Sequence, residues 1–188
     1  MNAQDHLPST LQQWNEQLET VLSRQKLARQ AQTNEPGPAE SAQKLAGKSG
    51  LEVMTLMLEG GFNAPRISET MDFYLVEVAD GLAIFQGTPQ AKHFNPMGSV
   101  HGGWFATLLD SALGCCVHTQ LPPGKAYTTS QLNVNIVRAA NAKTGPLRAI
   151  GRVVHMGRQV ATSEAKIVDP EGKLYAHATS TCFVFDAR

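Results

Sequence analysis

The sequence predicts an α+β fold: one long buried helix wrapped by a curved, mostly antiparallel sheet, with a helical extension ahead of it. Two observations carry this. The segment from His101 to about His118 is apolar on every face, which marks a helix buried on all sides. The last third of the chain reads as strand after strand joined by short turns, and such strands must pair mostly antiparallel. A single helix packed in one such sheet is an α+β design.

Length and composition set the bounds. The chain has 188 residues, 42% of them hydrophobic, enough for one core and short for two. Sixteen Lys and Arg balance sixteen Asp and Glu, so no global field draws in nucleic acid or an anionic membrane. Neither partner is expected. Cys115, Cys116 and Cys182 are few and odd in number, so they outline no disulfide framework and are expected as small core residues. The N-terminus lacks the pattern of a signal peptide, and no apolar run reaches the roughly 18–20 residues of a membrane span. The expected location is the cytoplasm.

Residues 1–50 form the extension and its linker, and residues 51–188 the domain. Leu11, Trp14, Leu18, Val21 and Leu22 recur at helical spacing within 1–30, with Thr10 and Gln13 as a capping pair. Residues 30–50, rich in Ala, Gln, Pro, Gly and Ser, read as a linker or weakly helical arm. A short apolar helix near Leu51–Leu58 ends at Gly60-Gly61, and Pro65 turns the chain towards strands. "DFYLVEVAD" and "LAIFQGTP" form a hairpin around Gly81. A loop spans Gln90–Val100, the central helix follows, and Pro122-Pro123-Gly124 ends it. "AYTTSQLNVNIVRAA", "GPLRAIGRVVHMG", "QVATSEAKIVD" and "KLYAHATSTCFVF" supply the remaining strands.

The central helix carries the chemistry. Between Gly102 and Val117 the only charged residue is Asp110. A carboxylate there is costly unless paired or functional. It lies about two turns from the helix start, too far to cap it. Gly103, Ala106, Thr107 and Gly114 surround it with small side chains and predict room beside it. His101-Gly102-Gly103 opens the helix, and its free amides suit a developing negative charge, as in an oxyanion hole. Gly102 and Asp110 are eight residues apart, roughly 12 Å along the axis. No Asp side chain spans that distance. If both act on one atom, they come from two copies of the chain, and a homodimer is the minimum unit.

The run "NPMGSVHGGWFATLLD" from Asn95 to Asp110, with "TTSQLNVNIVRAA" and "HMGRQVATSEAKIVDPEGKLYAHAT" after it, resembles the hotdog-fold acyl-CoA thioesterases of the phenylacetic-acid-pathway and 4-hydroxybenzoyl-CoA type. The resemblance covers roughly residues 65–186. It implies a hotdog fold, hydrolysis of an acyl-CoA to free acid and CoA, no cofactor, no metal, and a homodimer or homotetramer. Asp110 takes the place of the family's catalytic carboxylate, as nucleophile or general base, and Gly102 supplies the amide that polarises the thioester carbonyl. Asn95 stands where an Asn or Gln orients water or the carbonyl, His101 positions the loop, and Thr129 stands where a hydroxyl helps hold the water. Arg138 matches a basic residue beside the CoA arm, and His155, Gly157 and Arg158 match the turn that contacts the CoA nucleotide.

Two other readings stay open. A hotdog hydratase or dehydratase would want a His and a carboxylate converging on the substrate, and the helix offers only Asp110. A non-enzymatic acyl-CoA sensor acting on DNA would want a basic extension, and residues 1–50 hold five acidic and five basic side chains. His93, His118 and His177 show no metal-ligand spacing, and no Gly-x-Ser-x-Gly elbow is present. An apolar acyl or aryl pocket is expected from Trp104, Phe105, Met97 and the Met54–Leu58 helix.

Overall fold

A computed structural model describes residues 10–31, 45–61 and 65–187. Helix α1 (Leu11–Ala31) leads to α2 (Gly50–Leu58) and the short α3 (Arg66–Met71). Strands β1 (Phe73–Ala79) and β2 (Leu82–Gly87) precede the central helix α4 (Gly102–Thr119). Strands β3 (Lys125–Ile136), β4 (Leu147–Met156), β5 (Val160–Val168) and β6 (Leu174–Asp186) complete the chain. The six strands form one curved sheet in the order β1-β2-β4-β5-β6-β3, and every neighbouring pair is antiparallel. Its concave face wraps α4, so the predicted hotdog architecture is the one observed.

The all-round apolarity of α4 has its counterpart in packing. Trp104, Phe105, Leu108, Leu109, Leu113 and Val117 are buried against Phe73, Phe85, Leu147 and Ile167 of the sheet. Each such side chain contributes about 1.5–3 kcal/mol by leaving water. Gly151 of β4 sits under the helix because a methyl group there would collide with the backbone carbonyl of Ala112. Trp104 and Phe105, expected to line an acyl pocket, are core residues about 1% exposed, and the Trp104 Nε1–H donates to the Met71 carbonyl at 2.8 Å. Met97, expected at the same pocket, is 89% exposed.

Local signals explain the helix ends. Thr10 and Gln13 bond reciprocally at the start of α1, as their spacing predicts. Ser49 and Glu52 do the same for α2, and the two Ser49 bonds hold the Glu52 carboxyl below its usual range. Helix α3 was not expected. Its six residues follow Pro65, whose fixed φ suits a helix start.

Helix α1 lies on the outer face of the sheet. Trp14 and Leu18 pack on Val76, Leu82, Ile84, Ile150 and Val168, a second apolar cluster on the side of the sheet away from α4. Arg148 is fully buried beneath it. Its Nε–H donates to Gln86 Oε1 (2.8 Å), its Nη2 to Gln17 Oε1 (2.9 Å), and its guanidinium lies 4.4 Å from the Trp14 ring centroid. Burial draws the guanidinium down to about 10, so it stays charged at neutral pH. Two of its partners come from α1, so the buried cation keys the extension to the sheet.

Candidate active site

Asp110 sits halfway along α4, half-buried, on the side facing β3. The Thr129 hydroxyl donates to its Oδ1 at 3.0 Å. Thr129 points at the helix because of a bulge. The β3–β6 register shifts between Thr129 and Gln131, so Tyr127 and Thr129 face α4 ahead of the bulge and Leu132 and Val134 face it afterwards. In a regular strand the side-chain period of two would send one of these sets outward.

Below the carboxylate lies a group the sequence reading missed. Tyr127 fills the notch left by Gly114, where an added methyl would come within 2.5 Å of the phenol oxygen. The small face at Gly114 is thus occupied rather than open, which corrects the expectation of room on that side. Gly103, Ala106 and Thr107 remain only partly covered. The signal was present: a glycine in the middle of a long helix often marks a close approach. Burial pushes the Tyr127 phenol up, and pushes the Cys115 thiol up to about 12, with the Asp110 charge adding to the Cys115 effect. Both groups are held protonated around the one carboxylate. Cys116 and Cys182 are buried as expected, while Cys115 is partly exposed.

The helix start is built by His101. It is the N-cap, and its Nδ1 accepts the Gly103 amide proton at 2.9 Å. Trp104 N–H donates to the His101 carbonyl at 3.0 Å. The Gly102 N–H, first in the helix, finds no acceptor among the described residues. Asn95 closes the loop ahead of it. Its Oδ1 accepts the amides of Met97 (2.9 Å) and Ser99 (3.2 Å), and its Nδ2 donates to Ser99 Oγ (2.9 Å). The second Nδ2 hydrogen has no partner among the described residues.

The other residues lie apart. Arg138 is exposed, donates from Nε to the Leu174 carbonyl at 3.2 Å and lies over the Tyr175 ring at 5.8 Å. His155 and Arg158 are exposed at the β4–β5 turn, which Gly157 N–H closes on the Val160 carbonyl at 2.9 Å. Val160 pairs with Phe183, eight residues along β6 from Tyr175, so the turn and Arg138 stand about 26 Å apart at opposite ends of the sheet. Asp110 and Thr129 therefore meet within one chain, whereas Gly102 stands away from them and the two cationic groups from each other. Among the described residues no three His, Cys, Asp or Glu side chains converge as a metal site, and no helix is long and apolar enough to cross a membrane.

Comparison with known proteins agrees with this architecture. A family profile described as the Thioesterase superfamily matches residues 97–176, a span that holds every site residue above except Asn95. The chain is 26% identical to 1,4-dihydroxy-2-naphthoyl-CoA hydrolase of Listeria monocytogenes over 118 residues, 63% of this chain and 94% of that protein. It is 39% identical over 84 residues to a candidate esterase of Halobacterium salinarum, a match that covers 44% of this chain and 54% of that protein. Among solved structures, a phenylacetic acid degradation-related candidate thioesterase from Ralstonia eutropha is 30% identical, with a TM-score of 0.63, over 69% of this chain and 97% of that one. With its fold, its helix and its match to nearly the whole of such a relative, this chain belongs to the Thioesterase superfamily.

Proposed function

We propose that this thioester hydrolase cleaves an acyl-CoA carrying an apolar acyl or aryl group, at a site shared between two copies of the chain. The observation that carries the reading is Asp110, the only carboxylate of a buried helix, half-buried and oriented by the Thr129 hydroxyl. With Oδ1 held, Oδ2 is the oxygen available for chemistry. As general base it takes a proton from water while the water oxygen bonds to the thioester carbon. The tetrahedral oxyanion rests on the Gly102 amide, the C–S bond then breaks, and the CoA thiolate takes up the proton. As nucleophile, Asp110 bonds to that carbon and expels the thiolate, and water hydrolyses the anhydride.

The shared site follows from length. Asp110 and Gly102 of one helix are roughly 12 Å apart. Strand β3 is a free sheet edge of 12 residues, a ready template for another strand. A two-fold axis near Leu132 and Asn133 would set Thr129 of one copy level with Ile136 of the other, and Ile136 lies beside Gly102. The same axis would carry Arg138 to the end of the sheet where the other copy holds His155, Gly157 and Arg158. One CoA could then touch both cationic groups, its phosphates bonded by guanidinium forks. A cytoplasmic homodimer, extended to a tetramer, is the proposed form.

Thiol release from a panel of acyl-CoAs tests the reading. Asp110→Asn is expected to keep the fold and to lower turnover by about 10²–10⁴-fold. Undiminished hydrolysis by that variant would remove Asp110 from the mechanism.

A further inference from the structure

We propose that His93, a buried residue outside the site described above, is a positioning residue that aligns the Gly102 amide. The proposal rests on the reading of Gly102 as the donor to the thioester carbonyl.

His93 is 7% exposed and closes a short 3-10 turn, Ala91–His93, ahead of the Asn95 loop. Its ring is held on both sides. Nδ1 accepts the Gln90 amide proton at 3.0 Å, which places the ring proton on Nε2, and Nε2 donates to the Thr70 carbonyl at 3.3 Å. The ring centroid lies 6.1 Å from that of Trp104. The Asp72 carboxylate stands 3.8 Å from Nε2 and pairs with Lys92 at 2.9 Å. Asp72 is also the only non-glycine among the described residues with positive φ, at 50°. Such a conformation persists only where the surroundings hold it.

The backbone of the same residue reaches the site. The His93 carbonyl accepts the His101 amide proton at 2.9 Å. His101 in turn caps α4 through Gly103 and leaves Gly102 N–H free. A continuous set of bonds thus runs from the end of α3, through the His93 ring and carbonyl, to the first turn of α4. Loss of the ring leaves the turn only its backbone bonds, His93 N–H to the Gln90 carbonyl (2.8 Å) and Phe94 N–H to the Ala91 carbonyl (3.1 Å), and so loosens the carbonyl that fixes His101. A donor displaced by about 1 Å can cost 10²-fold in rate.

The test uses the full-length protein with acyl-CoA hydrolysis and amide NMR. His93→Ala is expected to lower kcat about 10–100-fold while KM changes by less than about threefold. His93→Asn keeps an acceptor near the Nδ1 position and is expected to recover kcat to within about threefold of wild type. Lys26→Ala, an exposed residue of α1 on the outer face of the sheet, should match wild type. The Gly102 and Gly103 amide resonances should move in His93→Ala and return in His93→Asn, with Gly114 stationary throughout. If His93→Ala does not fold, the comparison of His93→Asn with His93→Gln, which lacks the Nδ1 acceptor, decides. The proposal is overturned if kcat stays within twofold while the melting temperature falls, or if the two glycine amides do not move. Failure of the hydrolase reading is distinct: the wild type would release no thiol, and the NMR comparison would still judge His93.

Discussion

Replacing Thr129 by Val isolates the bond that orients the proposed catalytic carboxylate. Val has nearly the shape of Thr and suits a strand, so β3 and its bulge should survive. The change deletes one donor, at 3.0 Å from Asp110 Oδ1. A hydrogen bond to a charged group contributes about 1.5–3 kcal/mol. Asp110 is half-buried, so water replaces part of the loss in the resting protein. Water cannot restore the orientation during reaction, where closely packed substrate excludes it. If the full bond is lost from the transition state, kcat/KM falls by roughly 10–150-fold, at 1.36 kcal/mol per decade. Thr129→Ser keeps the hydroxyl and should hold within a few-fold of wild type. The assay is thiol release under kcat/KM conditions, with a thermal melt of each variant. A Thr129→Val enzyme as active as wild type would refute the orientation argument. So would equal losses in Val and Ser, since Ser retains the donor.

Two further outcomes test the packing. Trp14→Ala strips the aromatic cover from Arg148, and the chain should lose about 3 kcal/mol in a denaturant melt, with hydrolysis unchanged because α1 lies on the outer face of the sheet. Cys115 and Cys116 are pushed up to about 12 by burial, from an ordinary value of 9.0. The unfolded chain therefore releases these protons first, so the associated stability is complete below about pH 9 and is lost as pH climbs towards 12. Melting temperatures across pH 8–11 should fall on the alkaline side, and a thiol reagent at pH 8 should label Cys116 of the native protein far more slowly than that of the unfolded chain.

Much of the fold was legible because it follows from periodicity and turn chemistry. The limits of α4 followed from His101-Gly102-Gly103 and from Pro122 onward. The tight turns were marked by Gly81, Gly145 and Gly172, each with positive φ. Features that depend on three-dimensional fit were not legible. The β3 bulge leaves no mark in "AYTTSQLNVNIVRAA", whose alternation looks unbroken, yet it decides that Thr129 faces Asp110. Helix α3 is too short for a periodic signal. The small face of α4 was visible, but not that Tyr127 fills its Gly114 notch. For Asn95 the resemblance implied a role towards substrate, and the loop shows what else the side chain does: it bonds its own turn.

Whether the site is shared between copies can be decided by complementation. The Gly102 amide is a backbone group, so only proline removes it. Position 102 tolerates proline well. It is the first residue of α4, where the missing N–H breaks no helical bond, and His101 ahead of it has φ −64° and ψ 139°, the extended conformation that proline favours in its predecessor. A side chain at 102 meets only Ile136 Cδ1, at 3.2 Å, the flexible end of a partly exposed residue. Gly102→Pro should therefore fold and hydrolyse poorly, as should Asp110→Asn. Coexpressed in equal amounts, the two variants form mixed dimers about half the time. In a shared site, one of the two sites in each mixed dimer combines both defects and the other has neither. About a quarter of all sites then regain full activity. If both groups acted from one chain, every site would carry one defect, and the mixture would hydrolyse no faster than its parents.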